Sequence, residues 1–372
     1  MVVALALVFS GALTAADTIY PELAIFARAI HAIERSYLGN VDDRQLITGA
    51  ITGMVRTLDP HSAYLTAEMY RALKEGDLNG AGSIGVVFVQ PSPHEFRVGS
   101  VLPGSPAEAS GVLPDDVLSE VDGKPTTVMT LGLIETMTSG RAGTAVALTL
   151  NRESFVVPRR FTLERQPLPR YPVSSTRMGE ALYLRIRYFP DGTAAAVAQA
   201  LARDRGHSAI VLDLRDNPGG LVAQAAQVAE QFLERGPIIT TEDHDGKVME
   251  RYEAKFAHVD RAPLLILVNG GTASAAEIVA AALADRRRAR LVGTHSYGKG
   301  SVQSLIEFDD GSALKLTTAR YFTALHRGIG DGGLEPDITA PAVGADVPLR
   351  TEPPAAFAHD RMLRVALSLL RN

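Results

Sequence analysis

The stretch Leu264-Leu265-Ile266-Leu267-Val268-Asn269-Gly270-Gly271-Thr272-Ala273-Ser274-Ala275-Ala276-Glu277 runs from five aliphatic residues through a glycine pair into an alanine-rich segment. An apolar run of that length, bounded by Asn and Gly, fits a strand buried on both faces, and the alanines behind it favour a helix. The turn places Ser274 in the first helical turn. There, free backbone N–H groups and the positive end of the helix dipole favour developing negative charge. Two readings of Ser274 stand at this point: a nucleophile beside an oxyanion site, or a hydroxyl that with Thr272 merely caps a helix.

Working outward, Ile210-Val211-Leu212-Asp213-Leu214-Arg215-Asp216-Asn217-Pro218-Gly219-Gly220 repeats the strand-turn-helix pattern. In a parallel sheet both turns emerge at the same strand ends, where α/β proteins bind ligands. An amide of Gly219 or Gly220 would then join that of Ala275 as an oxyanion hole. Around them strands alternate with helices: Ala181 to Arg187 before Thr193 to Arg203, Ala209 to Leu214 before Leu221 to Glu234, and Leu264 to Val268 before Ala273 to Asp285. This rhythm predicts an α/β core with a mainly parallel sheet over 166–343.

Other textures flank the core. Over 78–165 short β-rich runs (Ile84 to Val89, Phe96 to Leu102, Val117 to Val121, Ala145 to Leu150, Phe161 to Leu163) alternate with Gly, Pro and Asp turns. One helical stretch, near Leu131 to Ser139, interrupts this inserted β-rich domain. Over 17–77 the residues Leu23, Phe26, Ile30, Ile33, Tyr37 and then Ile47, Ile51, Met54, Leu58 step by three and four, which predicts an N-terminal helical unit. Asp42 with Gln45 opens its second helix and Asp59-Pro60 ends it. The segment 344–372 holds a linker, Thr351-Glu352-Pro353-Pro354, and a helix from His359 to Arg371. Met1 to Ala16 is uncharged, apolar and followed by Asp17, which reads as a signal peptide and implies export to the periplasm or another extracytoplasmic compartment. The competing reading is a buried N-terminal helix.

Length and composition bound the rest. A chain of 372 residues exceeds a single core, and 46% hydrophobic with 21% charged residues is the balance of a soluble globular protein. A net charge of -5 supplies no basic field for nucleic acid or an anionic membrane. With no cysteine, disulfides, thiolate nucleophiles and Cys-ligated zinc are excluded. Two G-x-G-x-x-G matches, Gly80 to Gly85 and Gly328 to Gly333, open no helix and so form no dinucleotide site. His61, in Leu58-Asp59-Pro60-His61-Ser62, lacks a second ligand at helical or hairpin spacing. No metal and no cofactor are expected.

A serine nucleophile needs a base, and Thr294-His295-Ser296-Tyr297-Gly298-Lys299-Gly300-Ser301-Val302-Gln303 offers His295 and Lys299. Spacing does not choose between them. Histidine is the commoner base but usually needs an orienting carboxylate. Lysine serves only when neutral, so its pKa must fall from ~10.4 to about 7 or 8, which burial beside the nucleophile can achieve. The glycines flanking Lys299 permit close backbone packing, and the uncharged Gln303 would orient the amine. A carboxylate in that place would work against catalysis.

Together these segments resemble the carboxyl-terminal processing peptidases, Ser-Lys serine endopeptidases that carry a PDZ domain. The resemblance also takes in Leu58 to Leu65, Leu314-Lys315-Leu316-Thr317-Thr318-Ala319-Arg320-Tyr321 and Glu335-Pro336-Asp337. It implies Ser274 as nucleophile, Lys299 as base in preference to His295, and Gln303 as its support. Ser83 to Val121, with Gly104 to Gly111 and Asp115 to Leu118, looks like the family's PDZ module. Its groove would bind a peptide as an added strand, the amides near Ser83, Ile84, Gly85 and Val86 taking the terminal carboxylate. The partners implied are proteins or peptides with free C-termini; a regulatory partner protein and a homo-oligomer are compatible with the family. Asp216, Ala276 and Ala324 to Arg327 depart from the usual pattern and bear on substrate preference. Glu277 and Asp285 read as structural. The rivals are a non-catalytic PDZ scaffold and a Ser-Lys amidase acting on non-peptide groups.

Overall fold

The computed structural model describes residues 21–78, 81–102, 104–167, 172–255, 259–330, 332–340 and 360–370. The signal-peptide expectation and the 344–359 linker lie outside them. Two compact units divide at Thr57 and Leu58.

The N-terminal unit holds the helices Pro21–Ser36 and Asp43–Arg56. Asp42 caps the second as expected, accepting the N–H groups of Arg44 and Gln45. Leu23, Phe26 and Ile33 of the first helix and Ile47 and Met54 of the second are exposed.

In the larger unit the core sheet runs in the order Val173–Met178, Ala181–Ile186, Ala209–Asp213, Leu264–Val268, Ala289–Gly293, Ile338–Thr339. The first pairing is antiparallel and the others are parallel. Helices Thr193–Arg203, Val222–Glu230 and Ala275–Asp285 cover one face, packing on Leu182, Leu184, Ile210, Leu212 and Ile266. The alternate residues Tyr183, Val211, Leu265 and Leu267 face the C-terminal helix Arg361–Leu369 through Met362, Leu363 and Ala366. Both faces are therefore buried, which is why these strands read as unbroken apolar runs rather than alternating ones.

A second sheet, antiparallel throughout, escapes the sequence rhythm. Its strand Ala313–Thr323 pairs with Ala63–Leu65 and Gly236–Glu242 along one edge and with Ser301–Glu307 along the other, and Val248–Ala254 lies outermost. The strand Ala63–Leu65 follows a turn in which Asp59 Oδ1 accepts the N–H groups of His61 and Ser62 at 2.8 and 3.0 Å.

The inserted module is an antiparallel sheet of Val86–Ser92, Glu95–Val101, Val117–Val121, Ala145–Asn151 and Arg159–Glu164 with the helix Leu131–Thr138 laid against it. Phe88, Phe96, Leu118, Ile134 and Leu148 fill its core. A short sheet of Ala81–Ser83, Gly140–Arg141 and Gln166–Pro167 ties together the chain entering and leaving the module.

Candidate active site

The strand Leu264–Val268 delivers the turn Asn269 to Ala273 and then Ser274, the residue immediately before the helix Ala275–Asp285. Ser274 has φ 55° and ψ -120°. A helix cap normally lies in the extended region, and a non-glycine residue at positive φ costs on the order of 1–3 kcal/mol. Capping alone does not require that strain.

The surroundings hold it in place. Ser274 N–H donates to Glu277 Oε2 at 2.9 Å, and Ala273 N–H donates to the carbonyl of Asn217 at 2.8 Å. Thr272 Oγ1 donates to the carbonyl of Leu214 at 2.8 Å, so the Ser274 turn and the Asp213-to-Gly220 turn are stitched together. A Cβ added to Gly219 would lie 2.8 Å from Ser274 Cβ and 2.9 Å from Ala275 N, and the residue's φ is +104°. Only glycine fits there. The structure thus brings Ser274, Ala275 and Gly219 together as the two strand ends anticipated. Gly219 N–H is, however, taken by Asn217 Oδ1 at 2.9 Å. Among the described residues nothing accepts the N–H groups of Ala275 and Gly220.

Glu277, read from sequence as structural, organises the site. It is fully buried, and its carboxylate accepts four donors. Oε1 takes Ser296 Oγ at 2.5 Å and Gly298 N–H at 2.7 Å; Oε2 takes the N–H groups of Ser274 and Lys299, both at 2.9 Å. Burial pushes its pKa above the ordinary glutamate value against the pull of these hydrogen bonds. One side chain therefore fixes the Ser274 backbone and the Lys299 loop together. Replacing one oxygen by an amide sets an NH2 against two donors, so Glu277→Gln is expected to cost about 3 kcal/mol of stability, two charge-assisted bonds at ~1.5 each. Urea denaturation measures this, and an unchanged midpoint would contradict the assigned role.

The backbone around Lys299 packs as tightly as its glycines suggest: a Cβ on Gly300 would fall 1.1 Å from the carbonyl oxygen of Ile329. The lysine side chain itself points to the inserted module. Lys299 Nζ donates to Glu135 Oε1 at 3.0 Å, and Lys315 Nζ lies 3.4 Å from Glu135 Oε2. Among the described residues no hydrogen bond joins Lys299 to Ser274. Gln303 Nε2 donates to Ser301 Oγ at 2.8 Å and to Thr317 Oγ1 at 3.3 Å, away from the amine it was expected to orient. His295 is exposed, with Nδ1 3.2 Å from the carbonyl oxygen of Gly332.

Glu135 is the site residue that sequence reading missed, because it sits on the module's helix, 164 positions before its partner. Burial opposes its ionisation, but Lys299, then Lys315 and His61, outweigh that and hold its pKa at about 2. His61 Nδ1 lies 4.0 Å from Glu135 Oε1, and burial, then Lys299, push the imidazole pKa down. The module's strands also touch the site. Tyr297 OH donates to the carbonyl of Phe88 at 3.3 Å. A Cβ on Gly271 would lie 3.1 Å from Ser100 Oγ, a buried hydroxyl with no partner among the described residues.

Between the module and the antiparallel sheet lies a groove of about 430 Å³ lined by Ser83, Ile84, Val86, Phe88, Glu135 and Lys315, among others. Three of the four expected peptide-binding residues line it. Gly85 is held beside it, its N–H donating to Ser83 Oγ at 3.0 Å.

Residues 180–340 match the model of peptidase family S41, residues 97–152 that of a PDZ domain, and residues 10–69 that of the activating protease CtpB N-terminal domain. The carboxy-terminal-processing protease of Bartonella bacilliformis is 36% identical over 326 residues, 86% of this chain and 75% of that protein. The carboxy-terminal processing protease CtpA of Bacillus subtilis is 34% identical over 320 residues, 84% of this chain and 68% of its own length. Among solved structures, the photosystem II D1 C-terminal processing protease superposes with a TM-score of 0.70 at 28% identity, covering 92% of this chain and 100% of the other.

Proposed function

This chain belongs to the carboxyl-terminal-processing serine proteases of peptidase family S41, and we propose that it cleaves proteins chosen by their C-termini, with Ser274 as nucleophile and Lys299 as general base. The observation that carries this is the strained backbone of Ser274, packed against Gly219 and followed directly by the open amide of Ala275, with the open amide of Gly220 next in the chain after Gly219. In the reaction, the neutral Lys299 amine takes the Ser274 hydroxyl proton as Oγ attacks the scissile carbonyl. The tetrahedral oxyanion is held by the Ala275 and Gly220 amides, and Lys299 returns the proton to the leaving amine. Water then hydrolyses the acyl-enzyme by the same route.

The arrangement described above is a closed one. An amine donating to a carboxylate carries the proton that a base must lack, so Lys299 must leave Glu135 before it can act. Glu135 lines the groove and holds the lysine at once. A substrate C-terminus entering along Val86–Ser92 would compete for the contacts that keep the site closed, its carboxylate received by amides near Ser83 to Val86 other than that of Gly85, which Ser83 Oγ already holds. The presence of Ser274, Lys299 and Gln303 in the chain argues against a mere scaffold, and a non-peptide amidase would have no use for the groove.

The uncharged Met1-to-Ala16 segment supports export to the periplasm or another extracytoplasmic space. The exposed apolar residues of the first helix support a homo-oligomer. The test of function is hydrolysis of an unfolded protein ending in apolar residues. Amidating its terminal carboxylate is expected to slow cleavage about tenfold, the loss of ~1.4 kcal/mol of recognition. No cleavage of the free form would sink the assignment, and equal rates would sink C-terminus recognition.

A further inference from the structure

A buried ionic clamp joins the C-terminal helix to the turn that carries Gly220, one of the two proposed oxyanion donors. Asp360 caps the helix Arg361–Leu369, its Oδ1 accepting Leu363 N–H at 3.0 Å. The same carboxylate faces Arg215 fork to fork, with Nη1 at 3.0 Å from Oδ1 and Nη2 at 2.7 Å from Oδ2. Arg215 Nε also donates to Asp213 Oδ1 at 2.9 Å, and Asp213 Oδ2 accepts Tyr183 OH at 2.7 Å. Asp213, Arg215, Asp360 and the neighbouring Arg185 are all buried. Two guanidinium groups and two carboxylates balance, so losing the Asp360 charge would leave a net positive charge in a dry interior.

Arg215 opens the oxyanion turn. The next residue, Asp216, stands at φ +57°, another strained non-glycine position. Asn269 holds it, accepting Asp216 N–H and donating Nδ2–H to Asp216 Oδ1, both at 2.9 Å. Asn217 Nδ2 donates to the carbonyl of Ile186 at 2.9 Å. The turn is thus anchored by the nucleophile turn, by the neighbouring strand and by Asp360. The first two anchors belong to the core sheet; the third arrives from 145 residues further along the chain.

We propose that Asp360 is a positioning residue for hydrolysis: through Arg215 it holds residues 214–220 in register with Ser274, so that undocking the C-terminal helix lowers turnover without weakening substrate binding. This rests on the reading of Ala275 and Gly220 as oxyanion donors. An oxyanion contact strengthens only in the transition state, so a misplaced donor appears in kcat rather than KM.

The test compares full-length wild type with Asp360→Asn and Asp360→Glu in two measurements: amide hydrogen exchange over 214–221, and kcat per active serine titrated with a fluorophosphonate. Titration removes any loss of folded protein from the comparison. Asp360→Asn is expected to exchange faster across the turn and to lose about thirtyfold in kcat per titrated site, with KM within about twofold. Asp360→Glu, which keeps the charge, should recover most of that loss. If Asp360→Asn does not fold, Leu363→Ala, which loosens the helix and leaves the carboxylate, should still speed exchange over 214–221. Wild-type exchange and wild-type kcat per site would overturn the proposal. Failure of the functional reading looks different: hydrolysis would survive Ser274→Ala while Asp360→Asn still loosened the turn.

Discussion

Ser274→Ala is expected to lower kcat on an unfolded protein substrate by about ten-thousandfold or more, and Lys299→Ala by nearly as much. On the proposed mechanism the first variant removes the attacking atom and the second removes the base that takes its proton once it has left Glu135. Groups that act as one unit do not add, so the double variant should be no slower than Ser274→Ala alone. Initial rates at saturating substrate measure all three. Losses that multiplied in the double variant would show that Lys299 acts independently of Ser274, and retained hydrolysis in Ser274→Ala would place the nucleophile elsewhere.

Glu135→Gln is expected to act in the opposite direction, raising kcat about tenfold on a short peptide that does not engage the groove. A partly buried, charge-assisted pair is worth more than a surface one, and weakening it by ~1.4 kcal/mol shifts the closed-to-open balance by a factor of about ten. Acid should not substitute for the mutation. Glu135 has a depressed carboxylate pKa of about 2, so its pairing with Lys299 persists above the ordinary carboxylate range and is lost only as pH falls through about 2. Between pH 8 and 5 the glutamate stays ionised and the ion pair remains. A kcat in Glu135→Gln at or below wild type would show that the Lys299–Glu135 contact does not restrain the enzyme.

The core was legible because local signals agreed with the global fold. Leu264 to Val268 is an unbroken aliphatic run because both sheet faces are covered, and Asp42 announces its helix by capping it. The glycines at 219 and 300 mark backbones that pack too closely for any Cβ. The second sheet was not legible. Val248–Ala254 (VMERYEA) is a mostly exposed outer strand, so its mixture of charges carries no alternation that marks a buried face. Nor could spacing reveal the state of Lys299. Its partner Glu135 reads as the one acid on a short, mostly buried helix and becomes a site residue only when the PDZ domain is folded against the core. Glu277 was visible as an acid near Ser274, but its four donors come from Ser274 and from a loop about twenty residues away. Turn chemistry and periodicity report local structure; contacts made across domains leave no such trace.

The central claim is that Lys299 activates Ser274. The rate at which a fluorophosphonate esterifies the protein, followed by intact mass and located by peptide mapping, tests it without any assumption about the natural substrate. The account predicts a single adduct on Ser274, formed about a hundredfold more slowly in Lys299→Ala and faster in Glu135→Gln than in wild type. An adduct on another residue, or equal rates in wild type and Lys299→Ala, would contradict it.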